Sequence, residues 1–179
     1  MSDVGDRGPL RQLSEEDVSR IDAVYRQIYE AIGEMTVWFE RLDLAVWELL
    51  KLIEVNAGAK VRKSQAKDNF DNAIDSLKRL LKAGLPTEDE YRERVRTLVP
   101  ALSAANSERR RMIHSYVTYS IDALPAGALS RDLKEQGEVA LRQLNVEELR
   151  TSAKECQDLW QRTVLLYMRL VSHEAYGTP

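Results

Sequence analysis

The chain has 179 residues, enough for one domain with a substantial buried core. Its apolar fraction of 44% and charged fraction of 31% are those of an ordinary globular protein, and a net charge of −3 argues against a generic polyanion binder, so a nucleic-acid contact has to be a local patch. One cysteine, Cys156, excludes an internal disulfide framework, and with only two histidines, His114 and His173, it argues against a structural zinc site.

The opening MSDVGDRGPL lacks a basic-then-apolar signal sequence, and residues 1–12, which hold Gly5, Gly8 and Pro9 without periodicity, read as a flexible tail before a single domain over 13–175. No run approaches the roughly 18 apolar residues of a membrane span. The expectation is a reduced, cytoplasmic protein that does not engage a membrane.

Ser14 followed by Asp17 marks a helix start, an N-cap with an acid at its third position. Ile21, Val24, Tyr25, Ile28 and Ile32 then recur at helical spacing, and beyond Gly33 the pattern resumes at Met35, Trp38, Phe39, Leu42, Val46, Leu49, Leu50 and Ile53. This is one long helix or two in line, closing near Asn56-Ala57-Gly58. The basic cluster Lys60, Arg62, Lys63 and Lys67 reads first as solvated charge. A second helix is expected from about Ser64 to Ala83, with Phe70, Ile74, Leu77 and Leu81 on one stripe and Gly84, Leu85 and Pro86 as its stop.

Thr87 with Glu90 forms a capping box that opens a third helix through Tyr91, Val95, Leu98 and Leu102. Pro100 lies inside it and should kink it, since proline cannot donate to Arg96, yet the pattern extends to about Val117. SYVTYSID and EVALRQL have strand-like composition on either side of ALPAGA, which predicts a short hairpin or irregular insertion over 116–143. Asn145 with Glu148 caps the last helix, whose apolar face carries Leu149, Ala153, Cys156, Trp160, Thr163, Tyr167 and Leu170. The predicted fold is all-α, an antiparallel bundle of four to five helices with this insertion before the last one. Trp38, Trp47 and Trp160 fall at periodic apolar positions and read as core, and Cys156 as a packed thiol.

Chemistry concentrates in ERRRMIHSY, residues 108–116. The buried stripe of the third helix runs 91, 95, 98, 102, 105 and then 109, which places Arg109 on an apolar face. A guanidinium there needs a carboxylate or phosphate partner, or an outward-snorkelling stem. His114 falls about 140° around an ideal helix from Arg109, beside Ser107, Arg110 and Arg111. By spacing alone the bland reading is the heavier one, because charge runs are ordinarily solvated faces. No G-x-S-x-G, P-loop or H-E-x-x-H motif competes.

The segment NSERRRMIHSYV resembles the signature of HEPN domains, an arginine, four to six residues, then a histidine near the end of a long helix. The likeness extends to layout: TVWFERLDLAVWELL resembles the early helix of small bacterial HEPN-like proteins, NFDNAIDSLKRLL the second and NVEELRTSAKECQDLW the last, covering about residues 20–172. The family most often has a small polar residue, typically Asn, after the arginine, where this chain has Arg110.

The resemblance implies a metal-independent endoribonuclease that uses no cofactor and acts as a homodimer with its two motifs facing each other. Arg109 and His114 are the catalytic candidates, Asn106, Arg110, Arg111 and Ser115 candidate contacts to substrate phosphate, and Asp43, at the family's acidic position, a support for Arg109. The expected partners are RNA, a second copy of the chain and, as for many toxin-like members of the family, a cognate antitoxin such as a minimal nucleotidyltransferase. The competing expectation is a catalytically inactive helical module that binds RNA, a nucleotide or a partner protein through the same groove.

Overall fold

The computed structural model describes residues 14–56, 69–84, 89–113, 116–119, 128–135, 138–143 and 145–176, with side chains for 14–56, 69–84, 89–111 and 145–172. The expected tail, the Asn56-Ala57-Gly58 cap beyond Asn56, the Lys60–Lys67 cluster, Leu85, Pro86 and Thr87 lie outside the described residues, as do His114 and Ser115.

The described residues form an all-α bundle of four helices carrying a small antiparallel sheet. Helix α1 (Glu15–Asn56) is one unbroken element of 42 residues, close to 63 Å long at about 1.5 Å per residue. Its start is a reciprocal cap. The Ser14 hydroxyl accepts from the Asp17 backbone N–H at 3.1 Å, and the Asp17 carboxylate accepts from the Ser14 N–H at 3.1 Å and its hydroxyl at 2.8 Å. Gly33 does not divide the helix, because the apolar stripe continues in phase on both sides, from Ile28 and Ala31 to Met35, Phe39, Leu42 and Val46.

Helix α2 (Phe70–Ala83) begins later than the predicted Ser64. Asn69, in extended conformation, is its N-cap and accepts from the Asn72 N–H at 3.1 Å. Gly84, at φ +79°, ends it where a left-handed residue is needed.

Helix α3 (Asp89–Ile113) runs through Pro100 without a break. Pro100 and Arg96 are both exposed, so water can satisfy the Arg96 carbonyl that loses its helical donor. The helix ends four residues short of the expected Val117, because Tyr116–Tyr119, all β-branched or aromatic, form strand β1.

Strand β1 pairs with β2 (Ala128–Glu135), which pairs in turn with β3 (Glu138–Gln143), both antiparallel, in the order β1-β2-β3. The register sets Tyr116 opposite Arg131 and Arg131 opposite Leu141, with an irregularity between Leu133 and Glu135. The expected short hairpin is therefore a three-stranded meander, and ALSRDLKE is its central strand. Helix α4 (Val146–Tyr176) completes the fold, capped by the Asn145 side chain, which accepts from the Glu147 N–H at 2.9 Å.

Two apolar clusters make the core. The larger gathers Phe39, Leu42, Leu49 and Ile53 with Phe70, Ile74 and Leu77 of α2, Val95, Leu98 and Leu102 of α3, and Leu159, Leu166 and Leu170 of α4. The smaller joins Ile28, Ala31 and Met35 of α1 to Leu149 and Ala153 of α4. Trp38 packs against both clusters and meets Trp160 at 5.5 Å between rings, and Trp47 also packs on the larger one.

These contacts advance together along the two helices, so α1 and α4 run in the same direction. Asp71 at the start of α2 touches Asn106 and Arg110 near the end of α3, so those two are antiparallel. The expected antiparallel packing holds for α2 and α3. α1 and α4 depart from it because both run antiparallel to α3, whose start lies near the end of α4 at Glu90 and Arg169 and whose end lies near Cys156 of α4 and Phe39 of α1. Among the described residues no helix is long and apolar enough to cross a membrane.

A Cβ built on exposed, helical Gly33 meets nothing within 4 Å. Gly33→Ala is therefore expected to stabilise the fold by about 0.5–1 kcal/mol through lower unfolded-state entropy, read as a rise of about 1–4 °C in the thermal midpoint.

Candidate functional site at the end of α3

Three consecutive arginines on a helix point about 100° apart. Here each direction meets different surroundings. Arg109 leans towards α1, Arg110 reaches α2, and Arg111 faces the groove between α3 and α4.

Arg109 is half-buried, and its guanidinium carbon lies 4.5 Å from the centre of the Phe39 ring. The positive group sits on the electron-rich ring face, a contact of about 0.5–2 kcal/mol. Phe39 is 1% exposed and is fixed from another side by Phe70, whose ring meets it edge-on at 4.8 Å. The inward lean read from the helical stripe is thus what the side chain adopts, with an aromatic platform where an ion pair was considered.

Asp43 lies one helical turn beyond Phe39. Its carboxyl is held above the usual carboxylate range, chiefly because burial penalises its charge and next because Glu40 is near. The positive charge of Arg109 and a hydrogen-bonding interaction with Trp47 act in the opposite direction. Its Oδ1 is buried and has no hydrogen-bond partner among the described residues. Asp43 and Arg109 therefore feel each other electrostatically, with no ion pair between them among the described contacts.

The neighbouring arginines are engaged differently. Arg110 donates to Oδ2 of Asp71, and the 4% exposed Asn106 donates its amide to the other oxygen, Oδ1, at 2.7 Å. Arg111 makes a two-pronged pair with Glu108, Nε to Oε2 at 3.0 Å and a terminal nitrogen to Oε1 at 2.5 Å. Both also place positive charge in the last turn of α3, where the helix dipole favours it. The angle assigned to His114 assumed a helix past Ile113, and that residue and Ser115 fall outside the described ones.

Arg111 and Glu108 line an open groove of about 790 Å³ between α3 and α4. On its far wall Glu147, Glu148, Glu155 and Asp158 outnumber Arg162, so that wall is net acidic, which opposes a polyanion there. Arg109 is not among its lining residues. Cys156, buried nearby, has its thiol pushed up to about 11, first by burial and then by Glu155 and Glu108. It is a packed thiol and not a nucleophile.

Sequence reasoning missed two participants. Phe39 carries a core signal in its spacing, but nothing in the sequence marks its ring as a seat for a cation. Asp71 looks like an ordinary acid in the first turn of α2, and its partners lie 35 and 39 positions later. Compared with models of known protein families, with curated proteins and with solved structures, the chain matches none.

Since the folded-state pKa of Asp43 is raised, both folded and unfolded chains hold the proton at low pH, and the stability cost develops as pH rises above the unfolded value. Asp43→Asn is expected to match or exceed the parent in thermal midpoint at pH 7, with its advantage shrinking towards pH 4. An advantage that instead grew on acidification would contradict the assigned direction. In the native protein Cys156 is expected to react with a disulfide reagent at pH 8 at least about 10²-fold more slowly than in denaturant, following its burial and scarce thiolate.

Proposed function

We propose that the chain is a metal-independent endoribonuclease of the HEPN type, with Arg109 binding the reacting phosphate and His114 transferring a proton. The observation that carries this reading is the different state of the three arginines. Arg110 and Arg111 are joined to Asp71 and Glu108, whereas Arg109 rests on Phe39 with no carboxylate in ion-pair contact among the described residues. A guanidinium held by a ring keeps its N–H edges available for phosphate oxygens, and its planar fork suits two of them.

RNA cleavage by the 2′-hydroxyl needs three things. A base removes the 2′-proton, the oxygen attacks the adjacent phosphorus, and an acid protonates the departing 5′-oxygen. The products are a 2′,3′-cyclic phosphate and a free 5′-hydroxyl. Arginine stabilises the charge gathered on the five-coordinate phosphorus, and histidine, with an ordinary pKa near 6.5, serves as base or acid at neutral pH. One motif histidine per chain is short by one proton-transfer group. A homodimer that brings two motifs to one groove supplies both. DNA, lacking the 2′-hydroxyl, is not a substrate for this chemistry.

The resemblance of the motif and layout to HEPN domains supports a toxin or defence-related role, with a partner such as a minimal nucleotidyltransferase as the antitoxin. The acidic wall of the α3–α4 groove disfavours a polyanion on that face, which supports the side of α3 that carries Arg109 as the one RNA would use.

The test is cleavage of total RNA in excess EDTA by the purified protein. Arg109→Ala is expected to lower kcat/KM by about 10²–10³-fold, as for loss of one transition-state donor. His114→Ala is expected to lower it by about 10²–10⁴-fold. Unimpaired cleavage by His114→Ala would rule out the proposed site. RNA binding with no cleavage by the parent protein would instead identify a catalytically inactive binding module.

A further inference from the structure

The first turn of α2 makes two consecutive contacts that together close a triangle around Arg109. Phe70 sets its ring edge-on against Phe39 of α1, at 4.8 Å. The next residue, Asp71, takes the Asn106 amide on one carboxylate oxygen and the Arg110 guanidinium on the other. The third side is Arg109 itself, stacked back on Phe39. Asn106 and Arg110 are one helical turn apart and bracket Arg109, so one carboxylate holds both ends of the turn that presents it. The start of α2 is itself fixed by the Asn69 cap.

Ion pairs such as Arg20–Glu16, Arg94–Glu90 and Arg111–Glu108 join neighbours three or four residues apart and stabilise single helices. The two bonds of Asp71 span 35 and 39 positions and join two helices. Asn106 is almost fully buried, so without Asp71 its amide loses a partner away from water.

We propose that Asp71 is a positioning residue: by gripping Asn106 and Arg110 it sets the rotation of the last turns of α3 and thereby holds the Arg109 guanidinium over Phe39. The proposal deepens the ribonuclease reading, on which its kinetic arm rests. Its spectroscopic arm is independent of any activity.

The variants are Asp71→Asn, which keeps one acceptor for Asn106 and loses the ionic hold on Arg110, and Asp71→Glu, which keeps both acceptors on a longer stem. The spectroscopic readout is the Arg109 side-chain N–H resonance, assigned by its loss in Arg109→Ala. Phe39 should shift that signal by its ring current. Asp71→Asn is expected to move it towards the value of an exposed arginine, with Asp71→Glu closer to the parent. The kinetic expectation for Asp71→Asn is a kcat lower by about 10- to 100-fold at nearly unchanged KM, the signature of a misplaced group and not of lost binding.

A folded Asp71→Asn protein with the parent's Arg109 signal overturns the proposal, whatever its activity. A displaced signal in a chain whose parent form cleaves no RNA upholds the positioning role and removes the ribonuclease reading. If the signal moves and an active parent's kcat does not, the role in catalysis is overturned.

Discussion

A helix turns about 100° with each residue, and at the end of α3 that rotation is what the local structure depends on. Three identical side chains in a row are sent to three different surroundings. Arg109 is taken by the Phe39 ring, Arg110 by the Asp71 carboxylate, and Arg111 by Glu108 on its own helix. Each interaction alone is modest, because all three arginines keep some access to water. The Arg109 and Arg110 contacts cross to α1 and α2 and so bear on the rotation of the turn, whereas the Arg111–Glu108 pair lies within α3 and does not. Leu98 and Leu102 bury the helix, and the polar contacts one and two turns later decide where its face points.

The same division between coarse and fine forces runs through the bundle. Phe39, Leu42, Leu49 and Ile53 supply the apolar surface that draws α2, α3 and α4 onto α1. Burying one such side chain contributes about 1.5–3 kcal/mol, but without direction. Direction comes from the caps at Ser14, Asn69 and Asn145, which fix where three helices begin. Trp38 and Trp160 then lock the register of the parallel pair α1 and α4 where the two apolar clusters meet.

Much of this was legible in the sequence. The stripe of α1, the capping residues and the buried face of α4 all rest on local spacing, which a linear chain carries in full. What escaped were features that depend on neighbours. ALSRDLKE holds four charged residues and reads poorly as a strand, yet as the central strand of the sheet it has its backbone paired on both sides. The Ser64 start for α2 overlooked Asn69, because an apolar stripe can be extrapolated past a cap that interrupts it. The end of α3 was set too late for the complementary reason, since Tyr116 continues the stripe while belonging to β1.

The long amphipathic helices, the Arg-x4-His spacing from Arg109 to His114, and the lean of Arg109 towards the core all follow from the sequence alone. These follow from periodicity, which needs only the chain and the geometry of the helix. The tertiary structure alone decided what each arginine touches. Phe39 lies 70 positions before Arg109, and Asp71 lies 39 before Arg110, so neither partnership leaves a mark at helical spacing. Only when α1 and α2 are packed against α3 do a core phenylalanine become a platform for a cation and an ordinary first-turn aspartate a clamp between helices.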